Sequence, residues 1–254
     1  YNRDTDEKNK KIIRTSVYKN GGFRAFNVLD KNEAGFYVLY DCHTLESATF
    51  DLFNDEDYVP VNIAWWVDQN DMKEVLRFVK LIDKNRKGWS AEQDIRAFAG
   101  LMPTSDYSYI VKTMDEVKDK LQRLKMKAAI SSSSIITLIT GETRHDADKP
   151  YRLGEPLNLC DYTKSFVAEF LNRWINMWRQ LDKNMNCHSR RILFSLYYKE
   201  AMVLQDIGKF IDFVDNTLVS FFTLSSAGNL PQTEDDVRPI WNSVKSKYTN
   251  FKGK

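Results

Sequence analysis

Between Phe166 and Trp178, seven large apolar residues (Phe166, Val167, Phe170, Leu171, Trp174, Ile175 and Trp178) recur at the spacing of one helical face. A face this wide, with four aromatic rings on it, cannot be left against water, so other elements must cover it. That requirement selects a fold built by packing helices on helices. The segments that follow supply candidate partners. Ser189 is expected to cap a helix running through Leu204, and Ile207 to Leu224 carries Phe210, Ile211, Val214, Leu218 and Phe221 at helical spacing. Asp236 is expected to cap a last helix with Ile240, Trp241, Val244 and Tyr248, placing Pro239 in its first turn, where a missing N–H does no harm.

The first half reads differently. Lys11 to Tyr18, Phe23 to Leu29 and Phe36 to Tyr40 are short and rich in β-branched and aromatic residues. Asn20-Gly21 is a tight-turn signal, and Asp30 to Gly35 a longer loop, so these three segments are expected to form an antiparallel meander. Phe23 and Phe26 would point to opposite faces, which implies a strand covered on both sides or a bulge. Thr44 to Phe53 is expected to be a short helix. Asp71 can cap a helix carrying Met72, Val75, Leu76, Val79 and Ile82. Ser90 and Gln93 form a capping-box pattern ahead of Ile95, Phe98 and Ala99. A long helix is expected from Asp106 to about Ile130, with a seam at Ile110, Met114, Val117, Leu121, Leu124 and Ala128. Residues 131–140 fit a loop and strand or a buried helix equally well.

These readings give an α+β fold, mainly α-helical, with an N-terminal three-stranded antiparallel meander packed on a multi-helix body. The expected divisions are a meander at 1–45, a first helical half at 46–140, a linker at 141–162 rich in Pro, Gly and charge, and a second helical half at 163–254, all in one continuous unit. An apolar content of 43% argues against disorder. No run approaches the roughly 20 apolar residues that span a bilayer, and the opening residues do not read as a secretory leader, so no membrane insertion is expected. Three scattered cysteines, Cys42, Cys160 and Cys187, suggest reduced thiols and an intracellular, cytoplasmic setting.

Motifs for chemistry are sparse. Asp83 to Gly88 resembles the opening of a calcium loop, but Lys87 stands at a ligand position and Asp94 replaces the closing Glu. Cys42-His43 and Cys187-His188 lack the spacing of a zinc site. His145, Asp146 and Asp148, with Glu142 nearby, have the ligand types of a metal-dependent hydrolase. No phosphate-binding glycine loop or nucleophile elbow is present, and no cofactor is expected.

Charge is more informative. The net +2 conceals a segment from Asp30 to Gln69 with nine acids against one base, Lys31, a net of −8, so the remaining residues carry +10. Lys118, Lys120, Arg123, Lys125 and Lys127 form the densest basic stretch, facing only Asp119. Arg173, Arg179, Arg190 and Arg191 flank Trp174, Trp178, Tyr197 and Tyr198, the pairing of cations and rings that single-stranded nucleic acid requires. The expected function is therefore a non-enzymatic self-assembling structural protein of nucleocapsid or coat type. Lys118, Lys120, Arg123, Lys127, Arg173, Arg190 and Arg191 are its candidate contacts to single-stranded RNA. Its charge split favours head-to-tail oligomers, with Trp65 and Trp66 as apolar anchors, one of them near the surface. The alternatives are a helical adaptor that binds a protein partner and the hydrolase.

Overall fold

The computed structural model describes residues 7–20, 25–40, 43–49, 59–83, 89–126, 130–181, 187–226, 231 and 233–251. The chain is mainly α-helical with a small N-terminal sheet, and it separates into two compact units, residues 1–93 and 94–254. The division falls inside a helix, Ala91–Leu101.

In the first unit, α1 (Glu7–Asn20) occupies the segment expected to be the first strand. Ile13 and Val17, four residues apart, are half-buried, as is Lys10, whereas Ile12 is exposed. That is a helical pattern, and α1 packs against α2 (His43–Thr49). Tertiary packing here outweighs the preference of β-branched residues for strands. No Asn20-Gly21 hairpin therefore forms from a strand at 11–18; Gly21 itself lies outside the described residues. The sheet is built instead from β1 (Phe26–Lys31), β2 (Tyr37–Leu39) and β3 (Val61–Ala64), in the order β2-β1-β3. β1 pairs antiparallel with β2, as expected, but parallel with β3. The sheet is thus mixed and not a meander. The anticipated irregularity lies between Leu29 and Lys31, where the β1–β2 register shifts.

The sheet lies against α3 (Met72–Asp83), with Leu29 and Val38 of the strands and Val75 and Val79 of the helix lining one cleft. Asp71 caps α3, its Oδ1 accepting from the N–H groups of Lys73 and Glu74 at 2.9 and 3.2 Å. Ser90 and Gln93 close the expected box at the start of α4 (Ala91–Leu101), each backbone N–H donating to the other's side chain.

The second unit holds the aromatic core. α5 (Asp106–Arg123) buries Ile110, Met114, Val117 and Leu121 as the seam requires, but ends seven residues earlier than expected. Just beyond it Lys125 turns left-handed, with φ 54°. Residues 131–140 resolve as helix α6 (Ser132–Thr140), apolar or small all round and buried from Ser134 to Ile139. Ser131 Oγ accepts from the Ser134 N–H at its start, and Gly141 with φ 74° ends it. The segment 141–162 contains a short helix, α7 (Pro150–Leu153). α8 (Asp161–Leu181), α9 (Cys187–Leu204), α10 (Ile207–Ser226) and α11 (Glu234–Phe251) then enclose the rings.

Phe166, Phe170 and Trp174 of α8 are fully buried and meet Phe194 and Tyr197 of α9 and Phe210 and Phe222 of α10 edge-on or tilted. Each such ring contributes on the order of 2–3 kcal/mol through burial. Ser189 does not cap α9; its hydroxyl donates to Pro231 O inside the unit. The cap of α11 is Thr233, whose Oγ1 accepts from Asp236 N while Asp236 Oδ2 accepts from Thr233 N. Pro239 consequently lies beyond the first turn.

Candidate functional site

The basic and aromatic residues of the second unit do not form a stacking platform. Trp174, Trp178 and Tyr197 are buried, and Tyr197 donates its hydroxyl to Thr217 Oγ1 at 2.9 Å. Arg190 is buried with its guanidinium 5.7 Å from the Trp178 ring centre, a packing contact within the core. Arg173 is held by Asp215 at 2.5 Å and Glu169 at 3.8 Å. Arg191 and Tyr198 are half-buried, the Tyr198 ring lying against Gly141. Three of the four rings expected to meet bases, Trp174, Trp178 and Tyr197, thus belong to the core, and Tyr198 is half-buried beside it.

What remains outward is the end of α5. Lys118, Arg123 and Lys125 are exposed, while Lys120 is half-buried and donates to Asn172 Oδ1 at 2.8 Å. Lys127 lies outside the described residues. Cations in the last turn also complement the negative end of the helix dipole, so part of this cluster has a structural cause.

The loop before α7 gathers around His145. Its Nε2 lies 3.2 Å from Ser133 O and 3.3 Å from Thr137 Oγ1, and its Nδ1 lies 2.5 Å from the Tyr151 hydroxyl. A carbonyl only accepts, so Nε2 carries the proton and Tyr151 donates to Nδ1. Burial holds the imidazole below the usual histidine range, and the charges of Arg191 and Arg152 push the same way. Burial raises the Tyr151 phenol.

Arg152 donates from Nε to Asp94 Oδ2 and from an η nitrogen to His145 O, both at 2.6 Å. Lys149 pairs with Glu142 at 2.8 Å. Both ring nitrogens of His145 are therefore engaged within the fold, and Asp146 and Asp148 point to solvent. Among the described residues no group of three or more His, Cys, Asp or Glu is placed to hold a metal ion.

Cys160 is exposed just ahead of α8, its thiol lowered by hydrogen bonding to Thr163. Cys42 and the side chain of Cys187 lie outside the described residues, as does most of the calcium-like segment at 83–88. No helix among the described residues is long and apolar enough to cross a membrane.

The first unit presents the most unusual surface. β3 ends at buried Ala64, and the chain turns, with Val67 N donating to Ala64 O at 3.4 Å. Because Ala64 and Val67 face inward, the two residues between them lie on the outside of the turn. Trp65 is 73% exposed and Trp66 60%, so both tryptophans reach solvent where sequence reasoning allowed for one. Their rings meet edge-on at 5.9 Å, and the series continues from Trp66 to Phe78 and from Phe78 to Tyr40. Phe36, 70% exposed, and Tyr37 add rings at the β1–β2 turn, a signal that sequence reasoning spent on strand assignment. Exposed acids, Asp30, Glu33, Asp68, Asp71 and Glu74, occur in the same unit. Scattered surface apolars are ordinary, but two tryptophans exposed together on one turn are what a contact surface carries. Comparisons with protein-family models, curated proteins and solved structures find no match for this chain.

Proposed function

We propose that this is a non-enzymatic, self-assembling structural protein in which a second copy of the chain covers the aromatic surface of the N-terminal unit. The observation that carries this reading is the exposure of Trp65 and Trp66 together on the turn after β3. Tryptophan is the residue most concentrated at interface hot spots, because its large flat ring loses much water contact at small entropic cost. The acidic character of residues 30–69 supports a heterologous partner surface, the basic end of α5 in the next copy, since a two-fold contact would set acid against acid. Single-stranded RNA is the alternative partner of Lys118 and Arg123 in this reading, its phosphates competing with the acidic surface of the next copy, with no base stacking by Trp174 or Trp178. The environment of His145 offers no support to the hydrolase alternative.

Sizing chromatography with light scattering and two-wavelength absorbance at low salt reads mass and bound nucleic acid together. The mass should rise with concentration, fall with added salt, and collapse to a monomer in Trp65→Ala/Trp66→Ala and in Lys118→Glu/Arg123→Glu. A monomer at every concentration would overturn self-assembly and leave the adaptor reading, with a different protein on the same rings.

A further inference from the structure

Between the sheet and α3, the N-terminal unit carries a partly open cleft of about 260 Å³. Leu29 and Val38 from the strands and Met72, Val75 and Val79 from α3 make much of its wall apolar, and Asn32 and Asn70 add amides. The volume falls short of the roughly 300 Å³ at which small-molecule sites begin, and suits one long side chain better than a cofactor.

Two features tie this cleft to the exposed tryptophans. Tyr40, in its wall, meets Phe78, and Phe78 meets Trp66, with ring centres 5.0 and 6.0 Å apart. The series of rings that starts at Trp65 therefore ends in the cleft. The cleft also lies in acidic surroundings. Among the described residues next in sequence to those lining it, the exposed carboxylates Asp30, Glu33, Asp68, Asp71 and Glu74 outnumber the exposed cations Lys31 and Lys73. A side chain that enters should be apolar, and its neighbours in sequence should be cationic.

The chain holds such a segment. α5 ends at Arg123, and Leu124, Lys125 and Met126 follow, so that cation and apolar residue alternate. Arg123 and Lys125 are exposed, and Leu124 and Met126 are half-buried. Met126 stands furthest from the helix. An unbranched methionine fills an irregular space without strain, and its sulfur is attracted to the edge of an aromatic ring, which Tyr40 supplies.

We propose that Met126 of a second copy enters this cleft, with Arg123 and Lys125 of that copy set against the acids around it. The proposal deepens the self-assembly reading and rests on it, naming the socket and the plug of a head-to-tail contact. Val38→Lys places a cation in the socket, and Met126→Glu removes the plug. Both positions reach solvent in the single chain, so both variants should keep the fold. In light scattering of the full chain at low salt, each variant alone should associate roughly thirtyfold more weakly than the unmodified protein, the loss expected of a central anchor. Mixed one to one, they should form a complex of two chains and no larger, because each retains one half of the contact.

A mixture that stays monomeric or grows beyond two chains would overturn the proposal, as would either variant associating as tightly as the unmodified protein. Should Val38→Lys fail to fold, Asn70→Lys, exposed in the same wall, takes its place. Undiminished assembly of both variants would remove this contact and leave self-assembly standing, whereas an unmodified protein that is monomeric throughout would remove both.

Discussion

Replacing Gly154 by Ala tests whether α7 is held as tightly as its contacts imply. Gly154 ends the helix with φ 79°, a left-handed conformation that costs a residue with a Cβ about 1–2 kcal/mol. A Cβ there would also stand 2.3 Å from Phe98 Cε1. Phe98 is buried and tilted against Tyr107 with ring centres 5.2 Å apart, so its ring cannot swing away. Overpacking of this kind adds about 1–3 kcal/mol, for a total of about 2–5 kcal/mol.

Two further glycines separate the contributions. Gly141, at φ 74°, would meet Tyr198 Cδ1 at 2.7 Å, but that ring is only half-buried and can yield, so Gly141→Ala should cost nearer about 2 kcal/mol. Gly100, inside α4, has no heavy atom within 4 Å of an added Cβ, so Gly100→Ala should stabilise by about 0.5–1 kcal/mol. Hydrogen exchange of the backbone amides in α8 and α9 reads opening of the C-terminal unit by itself. A Gly154→Ala protein within about 0.5 kcal/mol of wild type, the range of a neutral surface change, would show that Phe98 moves and refute the reasoning.

Two other perturbations act on the same loop. Asp94→Ala leaves the buried Arg152 guanidinium without its carboxylate and should cost about 3–5 kcal/mol by the same exchange measurement, with Asp94→Asn costing less because its amide oxygen still accepts; a loss below about 1 kcal/mol would mean that water reaches Arg152. Since His145 is held below the ordinary histidine range, the unfolded chain takes up its proton first as pH falls. Stability should therefore decline from about pH 6.5 downward until the folded-state value is passed, and His145→Gln should flatten that slope in pH-dependent unfolding, an unchanged slope assigning the titration elsewhere.

The helical half of this fold was legible because its signals are local and redundant. The α8 stripe, the Asp71 cap and the Ser90/Gln93 box each fix their own turn of chain, and each is present as read. The strands were harder. β3 spans four residues, Val61–Ala64, and its parallel pairing with β1 depends on a partner more than 30 residues away, which no local pattern encodes. Lys11 to Tyr18 shows the converse, a strand-like composition turned into helix by contact with α2.

The candidate site was legible in part for the same reason. A tryptophan on a helical stripe is ambiguous between core and platform until its neighbours are placed, and Trp174 is core. Trp65 and Trp66 carry no period at all, and their exposure follows from Ala64 and Val67 being the inward pair.

The stretch from 141 to 162 has the composition of a connector, yet its backbone is tied down at intervals. Ser195 Oγ donates to Gly141 O, Tyr107 Oη to Glu155 O, and Leu159 N to Asp106 Oδ2, at 2.9, 2.7 and 2.8 Å. A protease must lift a peptide out of its surroundings before cutting it, and an inserted domain must part the chain without unmaking its bonds. Here either event would break hydrogen bonds to α5 and α9 that help close the second unit. The Pro, Gly and charge that mark a cut site in an extended chain therefore mark a fastening in this one. Attempts to split the protein, permute its ends or splice a reporter into it meet resistance at a place where its composition invites them.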